Sequence, residues 1–244
     1  MLLCNYETDY FLESITAVSG RRYNMLPPDT GTEPLVGRNI SRDDVAGFFR
    51  ALILNENHIL ILKLVNQYTI LEFDAIKSFL GFKFKECKKR LEECILTGLI
   101  YENRIRTEDA EYFLYMVDTG GIYALEDMNM KAECNHIPFT TGLEQKYKLY
   151  MKAQFLIDNS DLYTFQINTR VADKKGKSYE IVHLEDVKWP RVNEYDNNIF
   201  IVNLDVLEKL KINDLIFKDL ARKLNKKDNI FYDFAGKNFL EIRY

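Results

Sequence analysis

The sequence predicts an α+β fold in two parts, and three observations carry that prediction. Helical hydrophobic spacing recurs between residues 41 and 96, two strand-like runs follow at 99–101 and 111–117, and residues 144–244 mix helical with strand patterns. Hydrophobic residues make up 47% of the 244-residue chain and charged residues 29%, enough apolar surface for a buried core, which excludes a wholly disordered chain.

The elements can be justified in order. Residues 1–40 read as an N-terminal arm or loop with a candidate helix at Tyr10 to Val18. The stretch Pro27-Pro28-Asp29-Thr30-Gly31-Thr32-Glu33-Pro34 forbids a continuous helix, because Pro removes an amide donor and fixes its own backbone angle. Ser41 is placed to cap a helix to about Leu54, with Asp43 and Asp44 at the positive end of its dipole and apolar residues at 45, 48, 49 and 52. Ile59 to Val65 reads as a short buried helix. Thr69 is placed to cap the next one, with Leu71, Phe73, Ile76, Phe79 and Leu80 apolar and Gly81 ending it. A third helix is expected from Phe84 to Leu96. Its apolar set is Phe84, Cys87, Leu91, Cys94 and Ile95, and its other face carries Lys83, Lys85, Lys88, Lys89 and Arg90. Thr97-Gly98 stops it. Leu99 to Tyr101 and Glu111 to Val117 read as strands, with Arg104 and Arg106 at the turn between them and a short helix near Ile122–Glu126.

Three helices followed by a two-stranded hairpin is the order of a winged helix-turn-helix domain, assigned to residues 41–127. The third helix must bury one face against the first two and leaves its basic face free. The run Cys87-Lys88-Lys89-Arg90-Leu91-Glu92-Glu93-Cys94-Ile95-Leu96-Thr97-Gly98-Leu99-Ile100 resembles the end of many winged-helix recognition helices. Tyr115 to Leu125 resembles the step after the wing. Together they are similar to bacterial winged-helix proteins of the replication-relaxation type, found on plasmids and conjugative elements. That resemblance covers residues 57–127. It implies double-stranded DNA binding and a part in plasmid replication, mobilisation or transcriptional regulation.

Residues 128–143 read as a connector and residues 144–244 as a small C-terminal α+β domain. Its expected elements are a helix at Glu144–Ile157, strands at 162–168, 179–184 and 198–203, helical patterns at 205–210 and 213–224, and a hairpin over Ile230–Phe234 and Phe239–Arg243. Lys174-Lys175-Gly176-Lys177 is the turn joining the first two strands. This order is shared with restriction-endonuclease-like cores, which need an Asp and a following (Asp/Glu)-x-Lys to hold magnesium. Asp186-Val187-Lys188 matches by letters, with Asp161 or Asp173 as partner, but it sits beside Trp189-Pro190 past the strand. A domain without catalysis is the favoured reading, so no catalytic residue is assigned.

Charge locates the interface. The net charge is −4, so nothing global advertises nucleic-acid binding. Residues 57–106 and 206–244 each carry +3, against −3 for 1–56 and −7 for 107–205. A basic island is the minimum for phosphate contact, and the DNA-binding set is Lys83, Lys85, Lys88, Lys89, Arg90, Arg104 and Arg106. If all of these cations met phosphates, the salt slope would be about −6, from about −0.9 per phosphate. The partners implied are double-stranded DNA, with a homodimer or a replication or mobilisation protein as further candidates. The alternative is a protein–protein adaptor, which the net acidity favours.

Other chemistry finds no motif. The four cysteines (4, 87, 94 and 134) form no CxxC pair, and His58, His136 and His183 are scattered, so no zinc site and no cofactor are expected. There is no P-loop, GxGxxG, HxH or GxSxG pattern. The N-terminus turns acidic too soon for a signal peptide, and Lys63 breaks the longest apolar stretch. A cytoplasmic protein with no membrane partner is the expectation.

Overall fold

The computed structural model describes residues 16–21, 40–106, 111–130, 137–138, 141–165, 170–183, 197–202, 222, 229–235 and 238–242. Helices and strands are mixed, as an α+β fold requires. The described residues divide into two compact units, one from Ala17 to Lys146 and the other from Tyr147 onward together with Thr16. No helix among the described residues is long and apolar enough to cross a membrane.

The first unit begins within strand β1 (Thr16–Arg21), at Ala17. The helix expected at Tyr10 to Val18 is therefore corrected at residues 16–18, while residues 10–15 and the Pro27–Pro34 stretch lie outside the described residues. Helix α1 (Arg42–Arg50) starts at a capping box. The Asp44 amide donates to Ser41 Oγ at 3.2 Å, and the Ser41 amide donates back to Asp44 Oδ2 at 2.9 Å. It stops at Arg50 rather than near Leu54, and Leu52 adopts φ 57° just beyond.

Helix α2 (Glu56–Tyr68) is longer than its apolar core suggests, because Asn55 caps it. Thr69 is not the cap of the next helix. It has φ 72° and turns the chain into a short strand, β2 (Ile70–Glu72), in which Ile70 and Leu71 are buried. Helix α3 (Phe73–Leu80) follows at once. Gly81 ends it at φ +65°, a left-handed conformation that costs a residue without Cβ little. Helix α4 (Phe84–Leu96) packs Cys87, Leu91, Cys94 and Ile95 inward and lies against α2, α3 and the next strand.

Strands β3 (Ile100–Arg106) and β4 (Glu111–Val117) pair antiparallel from Ile100↔Val117 to Arg106↔Glu111. Arg104 and Arg106 thus lie in β3 itself and not in the turn beyond it. The strand extends further than its apolar start because the register carries pairing outward. β2 pairs antiparallel with β4 on the other side, giving the order β1-β3-β4-β2. Helix α5 (Thr119–Asp127) then crosses close to the backbone of Leu99, where Gly121 leaves no room for a side chain. The Tyr101 hydroxyl donates to the Ile137 carbonyl at 2.6 Å.

Helix α6 (Leu143–Asp158) contains the point of division between the units. Lys146 is buried, donates to Asn103 Oδ1 at 2.7 Å, and its pKa is pushed down to about 8 by burial. The second unit has a six-stranded sheet of β5 (Tyr163–Phe165), β6 (Arg170–Asp173), β7 (Ser178–His183), β8 (Asn198–Val202), β9 (Ile230–Ala235) and β10 (Asn238–Ile242), in the order β10-β9-β8-β7-β6-β5. The β7–β8 and β8–β9 pairs are parallel and the others antiparallel. The lysine-rich turn joins β6 to β7, not the 162–168 strand to its partner, because a separate strand intervenes at 170–173. Phe155 of α6 meets Tyr232 edge-on at 4.8 Å, and Phe200 stacks on Phe231 at 5.2 Å. The helical patterns at 205–210 and 213–224 fall outside the described residues, apart from Arg222, and so does Asp186-Val187-Lys188.

Candidate nucleic-acid interface

Helix α4 sorts its side chains by position. Residues 87, 91, 94 and 95 face the core, so at 3.6 residues per turn 85 and 89 face away, while 88, seven residues before Ile95, lies on the flank. Lys83, at the N-cap, and Lys85, Lys88 and Lys89 are all exposed. Among the described residues, Lys83, Lys85 and Lys88 make no ion pair. Lys89 lies 3.8 Å from Glu93 Oε1 with its side chain 71% exposed, a contact of little energetic weight.

Arg90 behaves differently. Its Nη1 donates to Glu93 Oε2 at 3.1 Å, and its side chain is only 22% exposed. Glu93 is the hub of this small network. The same Oε2 accepts from His58 Nε2 at 2.8 Å, while His58 Nδ1 accepts from the Asn55 amide at 3.0 Å. Because Nδ1 accepts, the ring proton must sit on Nε2, which donates to the carboxylate. Burial pulls the His58 pKa below its ordinary value, opposed by Glu93. Arg90 is thereby tied to the base of α2 rather than presented with the lysines.

The hairpin arginines are also engaged. Arg104 Nη2 donates to Glu111 Oε2 at 2.7 Å, and Arg106 Nη2 donates to Glu111 Oε1 at 3.0 Å. The two guanidiniums, Arg104 first, hold the Glu111 carboxyl below the usual carboxylate range. Arg104 also lies over the Phe113 ring at 5.2 Å. The expected set of seven cations therefore separates into exposed lysines on α4 and arginines that share acidic partners.

Several chemistry-bearing residues have structural duties. Cys87 and Cys94 are free, buried thiols. Burial raises the Cys87 pKa to about 11 and that of Cys94 further still, so neither is an activated thiolate. His183 Nε2 donates to the Lys148 carbonyl at 2.9 Å and joins β7 to α6. Asp173 Oδ1 accepts from the amides of Lys175 and Lys177 at 2.8 and 2.9 Å, which shapes the turn. No group of three or more His, Cys, Asp or Glu side chains is placed to hold a metal ion among the described residues.

Sequence reasoning missed two features. The Glu93 hub was readable from its spacing to Lys89 and Arg90, at i,i+4 and i,i+3. The exposure of Phe84 was not, since the residue falls in step with Cys87, Leu91 and Cys94 yet is 60% exposed. No family model matches the chain, and no curated protein or solved structure matches it significantly.

Proposed function

We propose that the first unit is a winged helix that binds double-stranded DNA, with α4 lying in the major groove and the β3–β4 hairpin beside it. One observation carries this reading: Lys83 at the N-cap and Lys85, Lys88 and Lys89 of α4 are all exposed, with Lys85 and Lys89 on the side away from its buried apolar face. A helix of ordinary diameter fits the major groove, and ammonium groups that meet phosphates release the counterions condensed on the duplex. The chain order of α2, β2, α3, α4 and hairpin, with β2 closing against β4, supports the reading. The resemblance to replication-relaxation proteins extends it to a role in plasmid replication, mobilisation or transcriptional regulation, performed without catalysis in the cytoplasm.

Fluorescence anisotropy with labelled duplex DNA tests it. Lys83→Ala/Lys85→Ala/Lys88→Ala should lose most of the affinity while retaining the fold, because all three residues are exposed. Arg90 is better left intact, since its removal also disturbs Glu93 and His58. Equal affinity of the triple variant and the parent defeats the reading. The exposed Leu52 and Ile53, 81% and 40% accessible, favour a second role as a protein adaptor, served by the turn that follows α1.

A further inference from the structure

We propose that Phe84 is a sequence-reading residue, whose phenyl ring contacts the C5-methyl group of a thymine in the major groove. This inference rests on the duplex-DNA reading of α4. Phe84 is the first residue of α4, and its ring leans on Phe73, with centroids 5.2 Å apart and planes tilted by 59°. More than half of the residue nevertheless stays in water. Covering that exposed ring with an apolar partner would be worth roughly 25 cal/mol per Å².

The neighbours identify the partner. Phe84 stands between Lys83 and Lys85, both exposed and neither in an ion pair among the described residues. An apolar protein surface seated on Phe84 would have to strip water from both ammonium groups, which is costly without counter-charge. A groove walled by phosphates neutralises both ammoniums while leaving the ring to meet an apolar group. The thymine methyl is the apolar group that the major groove presents. Recognition helices reach base edges with their N-terminal residues, and side chains on a helix tilt toward its N-terminus, so the first residue projects past the end of the helix.

Selection from random-sequence duplexes with the full chain first defines a preferred site. Each thymine in that site is then replaced by deoxyuridine, which removes the methyl group alone. For the parent chain, replacement at one position should weaken binding about four-fold, the ratio for losing one buried carbon. Phe84→Ala should show no response at that position, and Phe84→Leu an intermediate one. Phe84→Gln, which removes the apolar ring but keeps a stem, carries the same comparison if the Ala variant melts early. Equal sensitivity of parent and Phe84→Ala, or a parent with no sensitive thymine, overturns the assignment and leaves DNA binding by the lysines intact. A parent that binds no duplex overturns the underlying reading instead.

Discussion

His58 has no exposed surface and uses both ring nitrogens, one to receive the Asn55 amide and one to hold Glu93. Replacing it with Ala takes the acceptor from the Asn55 amide and one of the donors from Glu93, which keeps Arg90, and should cost about 1–3 kcal/mol of stability by denaturant unfolding. Its titration gives a signed expectation. Above pH 6.5 the ring is neutral in both the folded and the unfolded chain. Below pH 6.5 the unfolded chain takes up the proton first, because burial holds the folded pKa lower, so stability falls until the folded ring also protonates. Unfolding midpoints between pH 7 and pH 5 should therefore decline, and less steeply in His58→Gln. The lysines answer to a different measurement. Lys88→Ala should lessen the salt slope of DNA binding by about one, with little change in stability. Arg106→Ala should change that slope less, because Glu111 already takes part of the arginine's charge.

At the scale of elements, what was legible depended on length and caps. Helix α4 could be read with correct bounds because two full faces alternate over 13 residues and Gly81 closes the preceding helix. Strand β2 could not be read, because three residues are too few to show a period of two, and the neighbouring helical pattern absorbed Leu71. The four residues of β6 were lost for the same reason. Phe84 was misplaced because periodicity assumes that the next element extends over every turn, whereas the first residue of a helix points past its own end. The candidate site was legible as charge but not as pairing: Arg90, Arg104 and Arg106 met their carboxylates through folding, across one helical turn or across a hairpin. The tight crossing of α5 yields a sharp expectation. A Cβ on Gly121 would overlap the Leu99 carbonyl and come within 2.8 Å of Leu62 Cδ1, so Gly121→Ala should destabilise by about 3 kcal/mol or more in chemical denaturation. Gly81→Ala meets open space and should cost only about 1 kcal/mol, from its positive φ.

For the whole molecule, a net charge of −4 coexists with a local cluster of exposed lysines, so the proposed DNA binding would draw on a few phosphate contacts rather than on a general field. That sets a modest ceiling. Three or four lysine–phosphate contacts correspond to a salt slope of about −3 to −4, well short of the value for seven cations. The second unit has a mixed sheet with two parallel pairs, against which Phe155 packs edge-on to Tyr232. Duplex binding by the full chain across a range of salt concentrations tests the central claim most directly. The expected result is a linear decline of log affinity with log salt at a slope of about −3 to −4, falling toward zero in Lys83→Ala/Lys85→Ala/Lys88→Ala. A slope near zero in the parent, or one unchanged in the triple variant, would contradict it.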